Sequence, residues 1–150
     1  MEVKEFAKSL IEKYTKIQGK LYQQIERVEY STNLVNERYK SKFLLPKTKN
    51  KLASIVLELN KYKALLQGHA YYVDIKLSVL TKESKKPEAT IQSLNDISKY
   101  LYKGKRTIEM PQTLVDDLAK LKIVFNENDK VVLSVNDIDL ENENDLSLWL

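Results

Sequence analysis

Apolar residues recur along the first third of the chain in steps of four and three. From Val3 the stripe runs through Ala7, Leu10, Tyr14, Ile17, Leu21, Gln24, Val28, Ser31 and Val35. This is a heptad seam about five repeats long, widened by Phe6, Ile11 and Ile25. It predicts one helix over residues 3–43, roughly 60 Å long at about 1.5 Å per residue. Gln24 and Ser31 put polar groups into the seam, and Gly19 costs about 1 kcal/mol relative to alanine. Pro46, within FLLPKTKNK, stops the helix because its ring excludes a helical partner on its N-terminal side.

A second seam starts at once: Leu52, Ile55, Leu59, Tyr62, Leu66, His69, Val73, Lys76 and Leu80. Two helices of similar length joined by a short loop fold back antiparallel, which predicts a long α-helical hairpin over residues 1–82. Leu65, Tyr72 and Val79 flank this seam and need a cover from a third helix or from another copy of the chain.

The rest of the chain changes character. KESKKP is a polar linker ending in Pro87, a favoured first helical residue. Ile91, Leu94, Ile97 and Leu101 mark a shorter helix closed by Gly104. Pro111 opens another over 111–121, with Leu114, Val115, Leu118 and Leu121 on one side. In KIVFNENDKVVLSV, residues 122–135, two β-branched runs flank a polar turn at 126–129 and predict a β-hairpin. Helix, linker, helix, β-hairpin resembles the element order of a winged helix-turn-helix. The expected fold is therefore mainly α: the hairpin over 1–82, a small winged-helix-like α+β region over 87–135, and an acidic tail over 136–150.

Composition refines this picture. An apolar share of 43% supports a core, and three glycines suit long helices better than a sandwich or barrel. The chain has no cysteine, so it has neither a disulfide nor a thiolate site. That suits a cytoplasmic or virion protein. The N-terminal MEVKEFAKSLIEK lacks the apolar run of a signal peptide, and no stretch approaches the roughly 20 apolar residues of a membrane span. The net charge of +4 is uneven. Residues 1–90 carry 18 Lys+Arg against 10 Asp+Glu, whereas residues 91–150 carry 7 against 11. The basic half is either a solvated helical surface or a face for a polyanion.

Candidate chemistry is sparse. The single histidine, His69, sits on the second seam, where an interior or interface role is expected rather than a catalytic one. No phosphate loop, paired-histidine metal motif or nucleophile elbow occurs, so no catalytic residue, cofactor or metal is expected. The carboxylates of Asp137, Asp139, Glu141, Glu143 and Asp145 lack the glycine and spacing of a calcium loop.

Two basic clusters stand out. At the hairpin tip, Lys40, Lys42, Lys47, Lys49 and Lys51 surround Phe43, Leu44 and Leu45. Either the three apolar residues cap the hairpin core, or they and the lysines face phosphates or a membrane surface. The second cluster is Lys99, Lys103, Lys105 and Arg106. It is a better candidate for nucleic-acid contact than the helix over 111–121, where Asp116 and Asp117 would repel phosphates.

The tail ends in Asp145-Leu146-Ser147-Leu148-Trp149-Leu150. Leu146, Ser147, Leu148 and Leu150 resemble the peptides that dock on bacterial sliding clamps, with Asp145 where those peptides have glutamine. Leu146, Trp149 and Leu150 also half fit the archaeal and eukaryotic clamp peptide, with Glu143 in the glutamine position. Both resemblances cover six to eight residues and imply a docking peptide. An acidic tether ending in Leu and Trp anchors gains free energy only when the anchors enter a pocket, the protein's own or a partner's.

A second resemblance covers about 115 residues. A long basic hairpin, shorter helices and an acidic C-terminal part resemble the ESCRT-III family, including its archaeal cell-division members. ASIVLELNKYK at 53–63 looks like the start of that family's second helix, and MPQTLVDDLAKL at 110–121 like the helix after its hairpin. Residues 122–135 depart from the family, which is helical there. The resemblance implies polymerisation on membranes through the hairpin.

The leading expectation is a non-enzymatic accessory or scaffold protein of DNA replication, repair or transcription, in a cell or a virus. It would self-associate, touch nucleic acid through the two basic clusters and recruit a protein partner through 146–150. The alternatives are an ESCRT-III-like scaffold on anionic membranes and a viral structural coiled-coil component.

Overall fold

In the computed structural model the two seams face each other. The structure describes residues 2–41, 43–100, 107–123 and 131–132. Helix α1 spans Val3–Tyr39 and α2 spans Pro46–Ser84. At about 1.5 Å per residue they form an antiparallel rod 55–60 Å long. Nine of the ten predicted positions of the first seam are buried, and Val3 is half-buried. The second seam is buried except at His69, which is half-buried, and Ala70 takes the inward place instead.

The first helix ends at Tyr39, four residues short of the predicted 43. Leu45 precedes a proline and must be extended (φ −67°, ψ 148°), and Pro46 then opens α2. The chain reverses direction between Tyr39 and Pro46. Gln24 lies in the seam as predicted, and its amide donates to the Tyr62 hydroxyl across it at 3.1 Å. The polar seam position is thereby satisfied and ties one register of α1 against α2.

Helix α3 spans Ile91–Tyr100. It begins four residues after Pro87, which stays outside it. A reciprocal cap sets the start. The Thr90 hydroxyl accepts from the Ser93 N–H at 3.0 Å, and the Ser93 hydroxyl accepts from the Thr90 N–H at 2.9 Å. The predicted closure at Gly104 lies outside the described residues. Helix α4 spans Gln112–Lys120, with Pro111 as its N-cap residue. It closes in a Schellman turn: Ile123 N–H donates to the Leu118 carbonyl and Lys122 N–H to the Ala119 carbonyl, both at 2.9 Å. Lys122 adopts the left-handed conformation there (φ 64°).

A short antiparallel pair joins β1 (Thr107–Ile108) to β2 (Val131–Val132), with Thr107 opposite Val132 and Ile108 opposite Val131. The sequence pattern assigns no strand at 107–108. The turn of the predicted β-hairpin, 126–129, lies outside the described residues, and the pairing described for Val131–Val132 is with the strand before α4.

Leu94, Ile108, Met110, Leu114 and Leu118 belong to the same buried cluster as the hairpin seams. Residues 91–100 and 107–123 thus form a third layer on the rod. Lys76 meets α3 and Lys51 meets α4. These two lysines are 25 residues apart on α2, within about 20° of a whole number of turns, so both short helices lie along one side.

Candidate interaction surfaces

The hairpin tip is apolar and cationic at once. Phe43 is 94% exposed and Leu45 71%, whereas Leu44 packs against the core. The capping role therefore falls to Leu44 alone, because the turn points its two neighbours outward. Lys40 follows α1 directly and Lys47 lies in the first turn of α2; both are exposed. Lys49 is half-buried with its Nζ 5.8 Å from the centre of the Tyr39 ring. Lys51 has a partner within the fold: its Nζ lies 3.0 Å from Asp117 Oδ2 of α4, while most of its side chain stays exposed. The carboxylate that argued against phosphate contact by α4 faces a lysine of the hairpin.

Lys42, Lys103, Lys105 and Arg106 lie outside the described residues, as do Leu146, Ser147, Leu148, Trp149 and Leu150. The backbone of Lys99 belongs to the last turn of α3. The tip lysines are thus the part of the predicted polyanion surface that the fold brings together.

A buried polar cluster joins the three longest helices. Lys76 of α2 is 2% exposed, and its Nζ donates to the Ser98 carbonyl at 2.6 Å and to the Tyr14 hydroxyl at 3.3 Å. Tyr14 Oη and Ser98 Oγ are 2.6 Å apart. Burial pulls the lysine down to about 8 from an ordinary 10.5, and burial raises the Tyr14 phenol above its ordinary 10.0. A lowered lysine beside hydroxyls is also found at nucleophilic sites. Here all three side chains are enclosed by packed helices. The ammonium sits on a carbonyl in the last turn of α3, where the helix dipole favours a cation. Its role in this geometry is to fasten α3. Asn95, on the same helix, is fully buried, and among the described residues its side-chain amide has no hydrogen-bond partner.

His69 is pulled below its ordinary 6.5 by burial. Among the described residues no group of His, Cys, Asp or Glu is arranged to hold a metal ion, and no helix is long and apolar enough to cross a membrane.

Two further surfaces escape sequence reasoning, because each is assembled from both helices. Near the chain start, Val3, Ala7, Ile11, Pro87 and Ala89 floor an open groove edged by Lys4, Lys8, Lys85 and Lys86. Midway along the rod, Tyr22, Ile25, Glu26 and Glu29 of α1 face Gln67, Ala70, Tyr71 and Asp74 of α2. The only signal for the second in the sequence is the four-and-three spacing of Tyr22, Glu26 and Glu29, one position off the seam. On α2, Leu57, Leu65 and Tyr72 are 48–56% exposed, so the third layer leaves the expected uncovered residues Leu65 and Tyr72 open.

No protein-family model, curated protein or solved structure matches this chain.

Proposed function

We propose that the protein is a non-enzymatic helical scaffold whose hairpin tip engages a polyanion, nucleic acid in the leading reading, while its C-terminal segment recruits a protein partner. The observation that carries the reading is the tip itself. Lys40, Lys47 and Lys49 stand around Phe43 and Leu45 at the end of a rigid rod. Lysines attract phosphates, and an exposed aromatic ring can stack on an unpaired base. The setting is an accessory role in DNA replication, repair or transcription. Residues 99–106 extend the basic surface in this reading, and Leu146, Ser147, Leu148, Trp149 and Leu150 dock on the partner, a sliding clamp being the candidate their pattern suggests.

Binding of single-stranded and duplex DNA at several salt concentrations tests it. Affinity should fall steeply as salt rises, and Lys40→Glu with Lys47→Glu should weaken it at least tenfold. A pull-down with the intact chain and with one lacking 145–150 tests recruitment. Survival of every partner after the deletion would end the docking role.

The exposed pair Phe43 and Leu45 favours a second reading, an anionic membrane surface. An apolar wedge framed by lysines gains by entering the headgroup region, in keeping with the ESCRT-III-like layout and its polymerising scaffolds. Flotation with anionic liposomes in the absence of DNA binding would select this reading.

A further inference from the structure

The groove midway along the rod has the opposite chemistry to the tip. Tyr22 and Tyr71 are 45% and 65% exposed, Ile25 and Ala70 form its floor, and Glu26, Glu29 and Asp74 line it. Asp74 accepts from Gln18 Nε2 at 2.6 Å and from the Tyr22 hydroxyl at 2.8 Å, so this carboxylate is held in place. Glu29 pairs with Lys63 at 3.0 Å. The groove therefore keeps a net negative charge on an aromatic wall.

It is also open in the right direction. On α2, Tyr71 and Asp74 lie about 140–160° around the helix from Lys51 and Lys76, the two lysines that hold the third layer. The groove is on the flank that α3 and α4 leave bare.

We propose that this flank is the seat of the hairpin tip of a second copy of the chain. Phe43 enters between Tyr22 and Tyr71, with Leu45 over Ile25. Lys40 and Lys47 face Glu26, Glu29 and Asp74. The contact is reciprocal. Tyr22 lies 17 residues of α1 from Tyr39 and Tyr71 lies 25 residues of α2 from Pro46, so the seat is about 25–38 Å of rod from the tip. Two antiparallel rods overlapping by roughly that length place each tip at the other's groove, a closed two-fold pair. An overlap about 30 Å long and one rod wide is at the small end of specific interfaces, so the pair is weak and sensitive to salt. The inference rests on reading the tip as a contact surface. It adds a regulation: the tip cannot hold a polyanion and a second copy at once, so pairing screens the tip until a polyanion displaces the flank.

Sedimentation of the full chain, without nucleic acid or lipid, tests it. Concentration-dependent dimers are expected at about 50 mM salt and their loss at about 500 mM. One variant reverses the tip (Lys40→Glu with Lys47→Glu), another the flank (Glu26→Lys with Glu29→Lys). Each alone should stay monomeric. An equimolar mixture of the two should dimerise, because tip and flank are then opposite in charge at both contacts. Rescue by mixing excludes misfolding as the cause of either loss. A wild-type chain that stays monomeric at low salt overturns the proposal, as do dimers that both reversals leave intact, a mixture that stays monomeric, or assemblies larger than two. None of these outcomes bears on binding of DNA by the monomer, which is measured separately.

Discussion

Lys76 Nζ lies 2.6 Å from the Ser98 carbonyl, so a buried ammonium on the hairpin holds the last turn of α3. Removing the ammonium takes away the shortest donor to that carbonyl, beside the Tyr14 hydroxyl at 3.5 Å, and Tyr14 Oη loses one of its contacts. Lys76→Met keeps most of the volume and should cost about 1.5–3 kcal/mol, as expected for the loss of a hydrogen bond to a charged group. Lys76→Ala adds a cavity and should cost more. Urea denaturation checks the order. Equal midpoints for Lys76→Met and the wild type would show that α3 is held by apolar packing alone.

The same pair gives a pH signature. Lys76 is lowered to about 8 in the folded chain and has its ordinary 10.5 when unfolded. Below pH 8 both states are charged and the cost of burying the ammonium is complete. Between pH 8 and 10.5 the unfolded chain holds a proton that the folded chain lacks, so this group's contribution to stability rises with pH. Tyr14 acts oppositely. Its phenol is raised in the folded state, so its contribution is complete below pH 10 and is lost at higher pH. Stability measured from pH 7 to 9.5 should therefore climb more in the wild type than in Lys76→Met. Parallel curves would contradict the assignment.

Gln24 and Tyr62 form a single unit in the seam. Tyr62→Phe alone deprives the buried Gln24 amide of its hydroxyl acceptor and should cost about 1–3 kcal/mol. Adding Gln24→Leu should restore much of the loss, because the unmet polar group leaves with it. A double-mutant cycle reads the coupling. Additive effects would mean that the bond contributes nothing.

Gly19 lies in the exposed interior of α1, and a Cβ built there meets nothing within 4 Å. Gly19→Ala should therefore raise stability by about 0.5–1 kcal/mol, through helix propensity and a less flexible unfolded chain. A rise in thermal midpoint checks this, and a fall would mean that the position serves a contact with another molecule.

Phe43 is 94% exposed and makes no contribution to the core. Phe43→Ser should leave unfolding free energy within about 0.5 kcal/mol of the wild type. It should weaken whatever the tip binds. Circular dichroism melts and binding assays on the same preparation separate the two effects. A large loss of stability would show that the ring packs in solution.

The seams were legible because period and burial are locked together on a helix: a residue every four and three positions must share a face. Val3 to Val35 and Leu52 to Leu80 could thus be assigned to one interface from spacing alone, and Pro46 marked the reversal because its ring permits no helix through it. The lone histidine and the missing cysteines also followed from the sequence. Spacing could not say which near-seam residue turns inward: Ala70 took the place expected for His69, although Tyr62 and Lys76, one heptad to either side of His69, are buried. Nor could it foresee pairs distant in the chain. Lys51 pairs with Asp117 of α4 at 3.0 Å, and Lys76, a charged member of the second seam, meets the Ser98 carbonyl of α3. The exposure of Phe43 and the acidic groove at Tyr22 and Tyr71 depend on how the two helices are rotated against each other. That rotation is set by packing across the seam, which only the tertiary structure decides.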